Sequence, residues 1–335
     1  MYKYKKYFSI VIAFLFCINK NISAQELLIK STGTKTSIRG LSVVSDNIIW
    51  ASGSNGMVAK SIDGGEHFIW QQVPQFEKKD FRDIEAFDSN TAIIMCITEP
   101  AYILKTIDGG KIWKTVFFDS TKGMFLDAMY FKDENNGVVI GDPINEKPFM
   151  AFTSNAGETW TTATAFKPQI LLEGEAFFAS SGTNISMNKK GEYCYVSGGK
   201  SSNLFINETK YPLPLIQGIQ STGANSIAIY KNKVIIVGGD FIKENDTTKN
   251  CTLFNLKKNE FITPSTYPSG YRSCVTFINK NTVLTCGLNG IDLSKDAGLN
   301  WKKISNEGFH VVQKAKNGKV IFLAGSKGRI AKMNL

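Results

Sequence analysis

Short runs of alternating apolar and polar residues, separated by turns rich in Gly, Asn and Asp, recur along the chain from Ile38 to Met333. A period-two alternation of this length predicts half-buried strands. Four turns fit one eight-residue frame, Ser/Thr-x-Asp/Asn-x-Gly-x-x-Trp/Phe. They begin at Ser61, Thr106, Thr153 and Ser294 and end at Phe68, Trp113, Trp160 and Trp301. In each, the short side chain of Asp63, Asp108, Asn155 or Asp296 can accept backbone N–H bonds within its own turn, while the glycine takes a positive φ. The aromatic residue then starts the outgoing strand with a large surface to bury.

The spacing of the four turns is 45, 47 and 141 residues. The last step is three times 47, so two repeats with decayed turns lie between. Seven runs open successive repeats, at Ile38–Val43, Phe81–Ala86, Phe125–Tyr130, Gly174–Ala179, Ala224–Ile229, Tyr271–Thr276 and Phe309–Val312. Repeats of this length with four short strands each predict an all-β, seven-bladed β-propeller. The last repeat has room for only three strands, and Glu26–Lys30 is a spare apolar strand ahead of the first. It is expected to complete the seventh blade and close the ring, removing a sheet edge.

The leader Met1–Ala24 combines early lysines, an apolar run from Tyr7 to Ile18 and a small residue at Ala24, the pattern of a cleaved signal peptide. It predicts a mature single-domain chain from Gln25 to Leu335, secreted or periplasmic, without a membrane span. The formal charge of +10 includes Lys3, Lys5, Lys6 and Lys20 of the leader, which leaves +6 spread as scattered lysines. No basic block has the density of a nucleic-acid binder. Five cysteines remain in the mature chain, an odd number that does not describe a disulfide framework. Cys274 and Cys286 are expected to face each other across a hairpin, as buried thiols in preference to a strained cross-strand disulfide.

The four turns resemble those of BNR/Asp-box repeat propellers, and the chain is similar to the photosystem II stability/assembly factor branch in its secreted bacterial members. The resemblance spans essentially the whole mature chain, apart from the two middle repeats, where Asn203–Tyr211 and Thr252–Phe261 stand without the motif. It implies a binding scaffold that recognises a protein partner through an arginine patch, and it does not imply photosynthesis. Some members bear an oxidoreductase label. No dinucleotide Gly fingerprint or metal-spaced His/Cys cluster supports one, and neither a cofactor nor a metal is expected.

Only four arginines occur, and Arg39, Arg82 and Arg272 fall at the same place, the start of an inner strand, beside Leu126, Glu175, Asn225 and His310 in the other repeats. An arginine fork grips a carboxylate or phosphate two-pronged, so these three, with Glu175, Asp142, Asp240 and His310, are the candidate ligand-binding residues at the channel face. The competing reading pairs each arginine with a neighbouring acid, Asp83, Asp127 or Glu175, as a tie between blades. Asp142 and Asp240 either bind a ligand or stabilise their own turns. The alternative function is a sialidase-like glycoside hydrolase on the same face, with Tyr271 and Glu175 as nucleophile pair and Asp83 as acid. Carbohydrate binding through Phe241 or Tyr267 without turnover is a third. The favoured expectation is a monomeric, non-catalytic propeller that recognises a protein or an acidic ligand.

Overall fold

The computed structural model describes residues 26–162 and 169–335, so the expected signal peptide, Met1–Ala24, lies outside the described residues. Regular structure among the described residues is strand, apart from one 3-10 turn at Ser326–Gly328. The strands form seven antiparallel blades. The first is Ile38–Val43, Ile49–Gly53, Met57–Ser61 and Ile69–Gln72, and the second repeats this order from Phe81–Ala86 to Lys114–Asp119. The ring closes as the sequence predicts. Glu26–Ser31 pairs antiparallel with Ile330–Asn334, Leu27 opposite Met333, and becomes the outer strand of the seventh blade.

The inner and second strands carry the buried apolar positions. Blades one, six and seven share one cluster in which Ile49, Leu284, Val311 and Phe322 are buried, and each further pair of neighbouring blades packs in the same way. The four framed turns lock neighbouring blades together. In each, the hydroxyl residue accepts the glycine N–H, as Thr106 Oγ1 does from Gly110 at 3.0 Å, and the Asp or Asn accepts a later N–H, as Asp296 Oδ1 does from Asn300 at 2.8 Å. The glycine presses on the preceding blade. A Cβ on Gly157 would meet Ile93 Cδ1 at 2.3 Å, and Gly65, Gly110 and Gly298 sit in the same way on Phe322, Trp50 and Ile235. Cys274 and Cys286 lie opposite each other in register, and all five described cysteines are buried free thiols.

The fourth blade departs from the expectation. Its inner strand is not Gly174–Ala179. Glu175–Ala176 pairs with Gly198–Gly199, after which the chain leaves the sheet. It returns at Asn184, whose carbonyl accepts from Val196 N–H at 3.0 Å, and continues as Ile185–Met187. Four neighbouring inner strands have a single-residue bulge here: Arg39, Arg82, Asp127 and Asn225 each stand unpaired between two paired residues. In blade four the excursion 177–183 takes the place of that one residue. The expected inner run thus supplies only Glu175–Ala176 as strand, and Ile185–Met187 comes in addition to the four strands expected of the repeat.

Candidate functional site

Bulges fix which side chains reach the channel, because one extra residue inverts the alternation of a strand. The bulged residues are Arg39, Arg82, Asp127 and Asn225. In blade six Ser273 N–H shares the Cys286 carbonyl side of the Cys274–Cys286 pair, and in blade seven His310 N–H bonds Ala324, the partner of Val311. Ser273 and His310 therefore hold the equivalent position, and so does Asp127 where the sequence reading placed Leu126.

Arg272 is one residue out of step, and its side chain turns into its own blade. It is fully buried, with Nε 2.6 Å from Asp292 Oδ2, NH2 on the same carboxylate, and NH1 donating to Asn289 Oδ1 and to the Tyr271 carbonyl. The expected three-arginine cluster is thus a pair, and the third arginine is a structural ion pair.

The excursion 177–183 plugs the channel and bonds to most of the ring. Arg39 NH1 donates to Ser180 O and Arg82 NH1 to Ala179 O, each at 3.1 Å. Phe177 N–H donates to Asp142 Oδ1 at 2.9 Å, Ser180 Oγ to Asn225 Oδ1 at 2.6 Å, and Ser181 Oγ to Ser273 O at 2.7 Å. Thr183 O accepts from Ile227 N–H at 2.9 Å. Gly182, at φ +67°, lies against the Asp83 carboxyl, where an added Cβ would be 2.3 Å from Cγ. Asp83 is buried and bonds Met129 N–H at 2.7 Å, and burial beside Glu85 pushes its carboxyl well above the usual range.

The plug divides the channel into two cavities. The one at the mouth holds about 420 Å³ and is lined by Arg39, Arg82, Asp142, Tyr271 and His310, with Phe178, Phe241 and Leu288 as its apolar wall. The other, about 370 Å³, opens at the far end beside Tyr130, Phe277 and Lys316. At the mouth, burial first and the neighbouring Arg82 charge second bring Arg39 down to about 10. Arg82 has partial compensation from Asp80 at 3.3 Å. His310 is held down at about 4 by burial and by Arg39, and its neutral ring donates from Nδ1 to Ile38 O at 2.8 Å. Asp142 is raised to about 6, by burial. Beneath them, Asp127 is buried and raised by burial and by Asp142.

The other candidates fall elsewhere. Glu175 is buried inside blade four, accepting from Ser197 Oγ at 2.5 Å, Asn203 Nδ2 at 2.7 Å and Lys210 Nζ at 2.9 Å. Asp240 is buried and accepts from Ile242 N–H at 3.0 Å, stabilising its own turn. Tyr271 does reach the mouth, but its hydroxyl bonds Asn225 Oδ1 at 2.8 Å, and Glu175 is not among the residues lining the cavity. The tyrosine–acid pair and third arginine that a sialidase-like mechanism needs are therefore not assembled. Asp63, Asp108, Asn155 and Asp296 act within their turns. Among the described residues, no cluster of three or more His, Cys, Asp or Glu could hold a metal ion, and no helix is long and apolar enough to cross a membrane.

These features define a seven-bladed β-propeller with a plugged channel and a two-arginine mouth. Among solved structures, YCF48 bound to D1 peptide has this fold, with a TM-score of 0.67 at 15% identity over 93% of this chain and 97% of that one. YCF48 from Cyanidioschyzon merolae is similar at a TM-score of 0.63 and 16% identity, covering 93% and 99%. The Neurospora crassa Pan2 WD40 domain follows at 0.60 and 13%, covering 89% of each chain. At such identities the likeness is one of fold. No family model and no curated protein matches the chain.

Proposed function

We propose that the chain is an exported, non-catalytic binding propeller, similar in use to an assembly factor, whose channel mouth takes an acidic group of a partner polypeptide. The observation that carries this reading is the convergence of Arg39 and Arg82 on one cavity. Each spends NH1 on a plug carbonyl, which fixes the guanidinium plane, and Arg39 is depressed by burial and, after that, by its neighbour's charge. An anion placed between them relieves that repulsion and gains charge-assisted hydrogen bonds from preorganised forks. Phe178, Phe241 and Leu288 give the mouth an apolar wall on which a neighbouring side chain of the partner can pack. The peptide complex of the similarly folded YCF48 supports a polypeptide as the ligand.

The test is calorimetric titration of short acidic peptides into the wild-type protein and into an Arg39→Gln/Arg82→Gln variant, with capture from the exported fraction alongside. Binding weakened at least about tenfold in the variant supports the proposal. Equal binding by both proteins sinks it.

A further inference from the structure

Blades four and five, whose outer hairpins lack the framed turn, border a cleft on the face opposite the arginines. A framed turn packs against the preceding blade, and those of blades two and three also take up a lysine from it. Lys60 Nζ donates to Gly109 O at 2.8 Å, and Lys105 Nζ pairs with Glu158 at 2.6 Å. Phe152 holds the same strand position in blade three, one residue before the frame's Thr153, and blade four turns tightly at Asn207–Glu208 without a frame. Blade five turns through Leu256–Asn259, again without a frame. Among the described residues no framed turn fills these two consecutive junctions, and a cleft of about 900 Å³ lies there, more than twice the volume of the arginine cavity.

Its chemistry differs from that of the mouth. Lys189, Lys190, Lys231 and Lys257 stand around it, all exposed, against Glu192 and Glu208. Among the described residues none of the four lysines makes an ion pair. Glu192 is engaged by Asn188 Nδ2 at 2.6 Å. No arginine lines the cleft; side-chain amides and hydroxyls at Asn232, Asn259 and Thr209 do, over a partly buried Tyr211 ring. A side-chain amide presents an acceptor and a donor side by side, a match for neighbouring hydroxyls. Lysines on flexible stems meet carboxylates whose spacing varies.

We propose that this cleft is a second binding site, for an acidic saccharide chain, independent of the arginine mouth. The probe is an oligogalacturonate, measured beside a neutral oligosaccharide and a poly-glutamate of equal length. Wild-type protein is expected to bind the oligogalacturonate best, with affinity falling as salt is raised. A Lys189/Lys190/Lys231/Lys257→Gln variant is expected to lose at least about tenfold, and Asn232→Ala several-fold, both with unchanged melting midpoints because the residues are exposed. Arg39→Gln/Arg82→Gln should bind the oligogalacturonate as wild type does, which separates this site from the mouth. Absence of oligogalacturonate binding, or equal binding of poly-glutamate, overturns the proposal.

Discussion

Arg39 donates to the carbonyl of Ser180, a residue 141 positions away in sequence, at 3.1 Å. Arg82 does the same to the adjoining carbonyl of Ala179. Two arginines on neighbouring blades thus hold consecutive peptide units of a segment that belongs to neither blade. The plug gains its fixed path, and the arginines gain a fixed orientation. A segment without regular structure can lie in the channel because its polar groups find partners on the blades around it.

Gly182 is the tightest point of that path. Its φ of +67° disfavours any side chain, and the Asp83 carboxyl leaves no space for a Cβ. Gly182→Ala is expected to cost about 2–3 kcal/mol in chemical denaturation and to weaken binding at the mouth, since Ser180 and Ala179 move with it. A change below about 0.5 kcal/mol would show that the plug relaxes freely and does not hold the arginines.

The arginines should separate into two kinds. Arg272→Met leaves Asp292 buried without its cation and should cost about 3–5 kcal/mol, while Arg39→Gln and Arg82→Gln, at the cavity surface, should each cost less than about 1.5 kcal/mol. Urea midpoints of the three single variants check this. Comparable losses in all three would return Arg39 and Arg82 to the status of structural ties.

How far the sequence reaches is clear from this contrast. The ring, the blade number and the closing strand follow from turn frames and strand periodicity, because those depend on local pattern repeated seven times. The channel lining does not. Arg272 matches Arg39 and Arg82 in its place along the run, but a β-bulge shifts parity by one residue, and no residue type at Arg39, Asp127 or Ser273 announces the bulge. The excursion 177–183 was hidden for a related reason: Gly174–Ala179 reads as a strand, and only its start is one. The surplus run Ile185–Met187 was the available signal.

The framed turns carry their own prediction. Thr106 is buried, accepts the Gly110 N–H at 3.0 Å and donates to Asp108 Oδ1 at 2.9 Å. Thr106→Val keeps the shape and strands the N–H, so a loss of about 1–3 kcal/mol is expected. Ser at this position should be nearly neutral, since Ser61 and Ser294 make the same bonds in blades one and six. Differential scanning calorimetry of both variants distinguishes a hydroxyl requirement from a packing one, which would penalise Ser and spare Val.

Asp142 gives the mouth a pH dependence of known sign. Burial raises its carboxyl from 3.8 to about 6, so the folded protein holds this proton more tightly than the unfolded chain. The associated stability is fully present below pH 3.8 and is lost as pH rises through 6. At pH 7.5 the buried carboxylate is a liability that Asp142→Asn removes, while an amide oxygen still accepts from Phe177 N–H. The variant should be more stable than wild type by about 1–2 kcal/mol at pH 7.5, with the gain vanishing towards pH 4. His310, held down at about 4, works in the opposite direction: its neutral form is lost from the unfolded chain first as pH falls below 6.5, so it destabilises the fold in acid. That contribution is present in both proteins and cancels in their difference, which leaves the difference in urea midpoint between pH 4 and pH 7.5 as a measure of Asp142 together with the pressure it puts on Asp127. A gap between variant and wild type that stays constant over this range would mean that Asp142 does not titrate near 6 and that the mouth carries less negative charge pressure than its burial implies.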